Sequence, residues 1–328
     1  MSALSKRLEK IYKKTTAQEK ELFKKAAEEI KNGNLVAFPT ETVYGLGANA
    51  LNSEAVEKIY KAKGRPSDNP LILHVSSLEM VEKLVHINDN AKKLMEHFWP
   101  GPLSVVLESK DIIPTITKGG LNTAAVRMPN NRIALELIKE SDLPIAAPSA
   151  NTSGRPSPTD AKTVKNDLGE NVKIILDGGE TDLGLESTVI DMTGENPILL
   201  RPGGISEEEI EKVLSLKVKR PMDKNTIKRS PGTRYRHYAP KLPLVISDCY
   251  ETLNKAEGKR WAWLGLNEPT GKPNIKIIFK TIEEYAHELF RILRDIEKLD
   301  IDIIIAEVPP KEGIGEAVAD RLRRAAGN

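Results

Sequence analysis

Segments with helical periodicity alternate along this chain with short apolar runs, and this alternation constrains the fold most. Near the start, Thr16 and Glu19 form a capping box, which predicts a helix with one apolar face that ends at Gly33. The apolar run 35–38 follows directly and is typical of a buried strand. Elements in this order predict an α/β fold in which helices cover a sheet.

The same reading continues through residue 219. A helix capped by Ser53 and ended by Gly64 is predicted first, followed by helices near 77–87 and 89–98. Apolar runs predict six further strands, at 103–107, 123–128, 145–147, 172–176, 188–192 and 198–200. Because no long helix separates the strands between 145 and 200, some of them must pair antiparallel, so we expect a twisted mixed sheet.

Residues 220–241 differ in composition from the segments on either side. They contain seven Lys or Arg residues, one Asp and three Pro, without sustained periodicity. This pattern predicts a linker between a first domain at 1–219 and a second domain at 242–328. Fully stretched, about 20 residues reach roughly 65 Å, which is long enough to cross a face of the first domain.

The second domain is predicted to be a small parallel sheet of the Rossmann-like type. Apolar runs at 244–247, 261–265, 275–279 and 301–308 are separated by helical patterns, of which one is capped by Thr281 with Glu284 and the last spans 315–326. Parallel strands need such helical crossovers, and these helices are expected on the faces of the sheet.

Composition excludes several classes of protein. The chain of 328 residues has 49 Lys and Arg against 47 Asp and Glu, a balance that argues against a protein that coats nucleic acid. The single cysteine, Cys249, excludes an internal disulfide framework and a multi-cysteine zinc site. No apolar run is long enough for a membrane span and no secretory signal is visible, so a cytoplasmic location is expected.

Four loops concentrate polar side chains and glycine or proline. They are 39–47, 61–70, 146–159, and 186–191 taken together with 200–204. Lys and Arg in the second loop suit a polyphosphate, and small hydroxyl residues in the third let a backbone approach phosphate oxygens. Each loop also has a structural alternative, such as a tight turn or a solvated helix end. Arg127 and Arg201 interrupt apolar strands, and a structural carboxylate is an alternative partner for each.

Taken together, these segments resemble the YrdC-like family, and within it the longer, two-domain threonylcarbamoyl-AMP synthases. The resemblance rests on FPTETVYGLG, KGRPSDNPL, FWPGPLS, AVRMP, APSANTSGRPSPT, ESTVID and LRPGGIS in this order. It continues through SPGTRYRHYAP in the linker and GIGEAVADRLRRAA near the end. The resemblance implies an enzyme, a nucleotidyltransferase, that makes threonylcarbamoyl-AMP and pyrophosphate from L-threonine, bicarbonate or CO₂, and ATP.

The resemblance also implies roles for particular residues. Lys63 and Arg65 are expected to be catalytic. The residues expected to bind ATP are Lys61, Lys63, Arg65, Asn69, Thr123, Ser149, Asn151, Ser157, Arg201, Tyr235 and His237. Those expected to bind threonine are Thr42, His74, Arg127, Ala147 and Ser187, with Arg127 pairing the carboxylate. Tyr235 and His237 would form a lid over the nucleotide.

No metal site formed by the protein is implied; Mg²⁺ is expected to bridge the phosphates of ATP. The product is expected to pass to proteins that modify tRNA, and no membrane partner is expected. One alternative is an RNA-binding translation factor that uses a basic concave surface, against which the charge balance and the 5% of aromatic residues count. Another is a nucleotide sensor whose second domain is regulatory.

Overall fold

The computed structural model describes residues 3–12, 15–230, 237–247 and 256–327. Its α-helices are α1 (Ala3–Ile11), α2 (Ala17–Lys31), α3 (Ser53–Lys63), α4 (Leu78–Leu84), α5 (Asp89–Phe98), α6 (Arg132–Ser141), α7 (Ala161–Leu168), α8 (Glu207–Leu214), α9 (Lys224–Ile227), α10 (Ile282–Ile296) and α11 (Gly315–Ala326). In the part of the chain so described, no helix has the length and apolar character that crossing a bilayer requires.

The strands form two sheets. They are β1 (Val36–Phe38), β2 (Gly45–Asn49), β3 (Ile72–His74), β4 (Leu103–Glu108), β5 (Thr123–Arg127), β6 (Ile145–Ala146), β7 (Ile174–Ile175), β8 (Thr188–Asp191), β9 (Ile198–Arg201), β10 (Leu244–Ser247), β11 (Trp261–Gly265), β12 (Ile275–Ile278) and β13 (Ile303–Glu307). The first sheet has the order β7-β1-β2-β6-β3-β5-β4-β8-β9. The second has the order β10-β13-β11-β12.

The first sheet is mixed, as predicted. Strands β3 and β5 run parallel, as do β1 with β7 and β4 with β8. The antiparallel pairs expected after residue 145 are present, because β6 is antiparallel to β2 and β3, and β8 is antiparallel to β9. Since β6 inserts between β2 and β3, loops from distant parts of the chain meet at one edge of the sheet.

The second sheet is parallel throughout, which confirms the prediction for this part of the chain. Helices α10 and α11 pack on one face of it, where Leu289 and Leu322 join Leu264 and Ile304 in one apolar core. Trp261 and Trp263 alternate with the residues of that core along β11, and they form a separate apolar cluster with Ile303 and Ile305. Burial of each such side chain contributes about 1.5–3 kcal/mol.

Two local predictions were wrong. The cap of α3 is Asn52 and not Ser53, because the Asn52 side chain accepts hydrogen bonds from the backbone N–H groups of Glu54 and Ala55. The stretch 39–47 is not wholly a loop, because β2 begins at Gly45. A Cβ at Gly47 would lie 2.7 Å from the ring of Phe38, so glycine is what lets β2 pack against β1. The domain boundaries at 219 and 241 stay a prediction.

The two sheets are joined by apolar contact. Val43 and Leu185 come from loops between strands of the first sheet. Their side chains are nevertheless buried in the apolar core of the second sheet. Beside them, Gly184 has φ +72°, and a Cβ there would lie 2.2 Å from the backbone oxygen of His287 in α10. The loops 39–44 and 178–187 are therefore fixed between the sheets.

Candidate active site

A cleft lies at the carboxyl ends of β3 and β5. The parallel register places His74, the last residue of β3, directly opposite Arg127, the last residue of β5. Side chains from the β1–β2 loop and from the loops before β3, after β6 and before β8 complete the walls. The lining residues are Thr40, Thr42, Val43, Tyr44, Gly45, Arg65, Ile72, His74, Arg127, Ala147, Pro148, Ser149, Glu186, Ser187, Arg201, His237 and Tyr238. Loops at strand ends are the usual ligand sites of α/β sheets.

Arg127 is a buried cation of this cleft that is held beside a buried carboxylate. Its Nη2 lies 2.7 Å from Oε2 of Glu41, and both side chains are 4% exposed. Its Nη1 donates to Oγ1 of Thr42 at 3.0 Å, and its Nε donates to the backbone oxygen of Gly101 at 3.3 Å. Neither carboxylate oxygen of Glu41 has a hydrogen-bond partner among the described residues, so the ion pair is close but poorly aligned. The carboxylate alternative for Arg127 is thus present, and the pair keeps Arg127 at the cleft wall.

Arg201 is fixed by the backbone that it faces. Its Nε and Nη2 donate to the backbone oxygen of Ser187 at 3.1 and 2.9 Å. Nη2 also donates to Oγ of Ser187, which is hydrogen-bonded to Ser104. A Cβ at Gly203 would lie 2.2 Å from the backbone nitrogen of Thr188, so glycine is required where the 200–204 turn crosses β8. This close crossing aims the guanidinium at the cleft.

Lys63 organises the loop 146–159. Its Nζ donates to the backbone oxygens of Ser149 and Asn151, each at 2.5 Å. The side chain of Asn151 in turn accepts from Oγ of Ser149 and donates to the backbone oxygens of Thr152 and Arg155. Burial, with the neighbouring charge of Arg65, lowers the pKa of Lys63 well below its usual range. In this structure Lys63 supports the loop, and its side chain does not line the cleft.

Arg65 and His237 both line the cleft. Arg65 follows the left-handed Gly64 that ends α3, and its Nη2 donates to the backbone oxygen of Pro70 at 3.2 Å. Burial lowers the pKa of Arg65 to about 10, so it stays cationic at neutral pH. Its Nε and the Nε2 of His237 are buried with no hydrogen-bond partner among the described residues. Buried polar atoms without partners are costly, which favours a ligand that accepts from Arg65 and forms a hydrogen bond with the His237 ring.

The structure brings together most of the predicted site residues. Of those expected to bind threonine, all five line the cleft: Thr42, His74, Arg127, Ala147 and Ser187. Of those expected to bind ATP, the lining residues are Arg65, Ser149, Arg201 and His237. Four others, Asn69, Thr123, Asn151 and Ser157, are buried, and Lys61 is exposed on α3. Tyr235 lies outside the described residues, so nothing tests its placement. The substrate contacts themselves stay predictions.

Glu186 and Tyr238 are among the lining residues that were not predicted as part of the site. Glu186 lines the cleft, where its Oε1 accepts from Ser157 and its Oε2 accepts from Arg321 of α11. Tyr238 packs between the cleft and Phe290 of α10, with ring centres 5.2 Å apart. The motif ESTVID points to Glu186, but no sequence signal pairs it with a helix that lies 135 residues later.

Burial of two histidines makes the stability of the protein sensitive to acid. Burial lowers the pKa of both His74 and His237 to about 3, with Arg127 and Arg65 respectively acting in the same direction. A lowered folded-state pKa contributes stability above the unfolded value of about 6.5, and that stability is lost as the pH falls towards 3. At pH 4.5 each histidine then costs about 2–3 kcal/mol of unfolding free energy.

We therefore expect His74→Asn to lose less unfolding free energy between pH 7 and pH 4.5 than the wild type does. The measurement is urea unfolding at both pH values. His97→Asn, at an exposed position of α5, is the matched control and is expected to keep the wild-type difference. An equal loss in His74→Asn and the wild type would contradict a buried neutral His74.

Comparison with known proteins agrees with the two-sheet architecture. The Sua5/YciO/YrdC family model, described as "Telomere recombination", matches residues 28–203. The model for the C-terminal domain of threonylcarbamoyl-AMP synthase matches residues 205–327. The chain is 46% identical to the threonylcarbamoyl-AMP synthase of Pyrococcus abyssi over 320 residues, covering 92% of this chain and 93% of the relative. It is 44% identical to that of Bacillus subtilis, with 92% of each chain covered.

Solved structures agree with this finding. The crystal structure of P. abyssi Sua5 complexed with L-threonine matches with a TM-score of 0.85 and 45% identity, covering 94% of this chain and 95% of that chain. Escherichia coli YciO matches with a TM-score of 0.51 and 25% identity, covering 56% of this chain and 89% of that chain. The chain therefore belongs to the Sua5/YciO/YrdC family, in its two-domain form.

Proposed function

We propose that this chain is a threonylcarbamoyl-AMP synthase. It makes threonylcarbamoyl-AMP and pyrophosphate from L-threonine, bicarbonate or CO₂, and ATP, for the threonylcarbamoyladenosine modification of tRNA. The observation that carries the proposal is the convergence of Arg65, Arg127 and Arg201 on one buried cleft. Two anions must react there, and they repel each other unless cations flank both. The relatives named threonylcarbamoyl-AMP synthase and the threonine complex of P. abyssi Sua5 support the choice of substrates.

Threonine fits the half of the cleft around Arg127. The guanidinium pairs the threonine carboxylate, and Thr42, to which Arg127 donates, supplies a hydroxyl group beside it. Ser187, whose hydroxyl accepts from Arg201, supplies a second hydroxyl group from the Arg201 side of the cleft. His74 is neutral at physiological pH, because burial lowers its pKa to about 3. A neutral ring adds no positive charge that would repel the amino group. The unprotonated amine attacks the carbon of CO₂, one C–O π bond opens onto oxygen, and an N–H proton is released to water. The resulting carbamate carries the oxygen that reacts next.

The triphosphate fits the half of the cleft around Arg65 and Arg201. The carbamate oxygen attacks the α-phosphorus, a bond from oxygen to phosphorus forms, and pyrophosphate leaves with the electrons of the broken bond. Arg65 and Arg201 stabilise the charge that develops on the phosphate oxygens. Lys63 acts at one remove, by holding the loop that carries Ser149. Positioning and charge stabilisation supply the rate enhancement in this account.

Mg²⁺ enters this proposal with ATP. Phosphate oxygens and water would be its ligands, because Mg²⁺ is usually bound through substrate phosphates and keeps several waters. His237, which lies over the cleft beside Tyr238, would exclude water from the acyl-adenylate as part of a lid. The downstream partners would be the proteins that transfer the threonylcarbamoyl group to tRNA.

The test is pyrophosphate release by the purified full-length chain. We expect release only when L-threonine, bicarbonate and ATP are all present, and omission of any one abolishes it. Salt-sensitive RNA binding without pyrophosphate release would favour the RNA-binding alternative. ATP binding without formation of the adenylate would favour the nucleotide sensor.

A further inference from the structure

A buried arginine of the last helix reaches the ATP half of the cleft. Arg321 of α11 is fully buried, and its Nε donates to Oε2 of Glu186 at 2.8 Å. Its Nη2 donates to the backbone oxygen of Pro202 at 3.1 Å, and its guanidinium lies 5.3 Å from the ring centre of Tyr238. One side chain thus links the helix of the second sheet to the loop of Arg201.

The partner of Arg321 is a carboxylate among phosphate-binding cations. Burial by itself raises the pKa of Glu186, but the charges of Arg321 and Arg201 outweigh burial, so the pKa is lowered and the group is ionised. An ionised carboxylate in a triphosphate site repels the phosphates unless its charge is balanced. Each of its oxygens accepts a hydrogen bond, Oε1 from Ser157 and Oε2 from Arg321. Nη1 of Arg321 also donates to Asp320, and Arg324 pairs with the same carboxylate, so these three side chains of α11 leave one net positive charge to balance Glu186.

We propose that Arg321 is a positioning residue through which the second sheet makes the ATP site competent. It neutralises Glu186 and fixes the carboxylate, and Glu186 in turn orients the hydroxyl of Ser157. This inference rests on the function proposed above and adds a coupling of that site to the second domain. It concerns ATP and not threonine, because the threonine half of the cleft has its own carboxylate–arginine pair, Glu41 with Arg127.

Loss of Arg321 leaves Glu186 with other cations to pair. Arg201 and Lys63 are both electrostatically coupled to Glu186. A carboxylate released from Arg321 competes with the triphosphate for Arg201, so ATP binding weakens. We expect the loss to be about tenfold in affinity, which is a typical coupling between neighbouring charges.

The experiment measures the dissociation constants of a non-hydrolysable ATP analogue and of L-threonine by calorimetry on full-length variants. In Arg321→Met we expect the dissociation constant of the analogue to rise about tenfold and that of threonine to change less than about twofold. In the double variant Arg321→Met with Glu186→Gln, which removes both charges, most of the lost affinity returns. Replacing a buried ion pair by uncharged residues is often neutral for stability, so the double variant remains measurable if the single variant folds poorly.

Glu316→Gln is the matched control, because it weakens a contact that the same helix makes with the chain before the second sheet, away from the cleft. Glu316 lies 2.8 Å from Nη2 of Arg220, and neither residue lines the cleft. We expect unchanged affinity for the analogue in this variant. Wild-type affinity in Arg321→Met, no recovery in the double variant, or an equal loss in Glu316→Gln would each overturn the inference. Failure of the proposed function looks different: the wild type binds the analogue but releases no pyrophosphate.

Discussion

Replacement of Arg65 by methionine is expected to lower kcat/KM for pyrophosphate release by about 100-fold or more, without loss of stability. Removing one group that stabilises charge in a transition state costs about 3 kcal/mol, which is about 100-fold in rate. Arg65 makes one hydrogen bond, to the backbone of Pro70, and its Nε is buried without a hydrogen-bond partner among the described residues. It also lies close enough to Arg201 for the two charges to repel. Unfolding free energy without substrates should therefore stay the same or rise.

The control for this variant is Arg323→Met, which removes an exposed arginine from α11 and is expected to keep the wild-type rate. Steady-state kinetics and urea unfolding are measured on both proteins. Wild-type turnover in Arg65→Met would remove Arg65 from the mechanism. A large loss of stability in Arg65→Met would mean that this guanidinium serves the fold more than the substrate.

Replacement of Arg127 by methionine is expected to abolish both synthesis and much of the stability. The variant leaves Glu41, which is 3% exposed, without its counter-charge. An uncompensated buried charge costs about 3–5 kcal/mol, a large part of the stability of a typical domain. The loss of the proposed carboxylate partner removes threonine binding at the same time.

The double variant Arg127→Met with Glu41→Gln separates these two effects. It removes both charges, so we expect urea unfolding to show recovery of most of the lost stability. Calorimetry with L-threonine should still show no binding. If the double variant binds threonine as the wild type does, Arg127 does not hold the substrate carboxylate.

Local signals in the sequence predicted many of the element boundaries. The capping box of Thr16 with Glu19 begins α2, and the Thr281 side chain caps α10 at Glu284, both as predicted. The last helix spans Gly315–Ala326, the predicted range. The starts of α2 and α10 are predictable because a cap depends on residues three positions apart, so the information lies in one short segment. Helix α11 has no side-chain cap, and it ends before the left-handed Gly327.

Contacts between distant segments were not predictable in this way. His74 and Arg127 are neighbours only because β3 and β5 pair in parallel with a particular register. The partners of two buried arginines depend on tertiary packing, since Glu41 meets Arg127 and Glu186 meets Arg321 across long stretches of chain. Polar motifs predicted which residues lie near a substrate. The pairing of charges within the site depends on how distant segments pack, so the motifs could not predict it.

The contribution of Val43 and Leu185 to the core of the second sheet also affects heat denaturation. When the loops that carry these two side chains unfold, apolar surface of the second sheet's core becomes exposed to water. Neither of the two lobes, each built around one sheet, therefore keeps its full enthalpy of unfolding alone. The two lobes should therefore give a single cooperative endotherm in a scanning calorimeter.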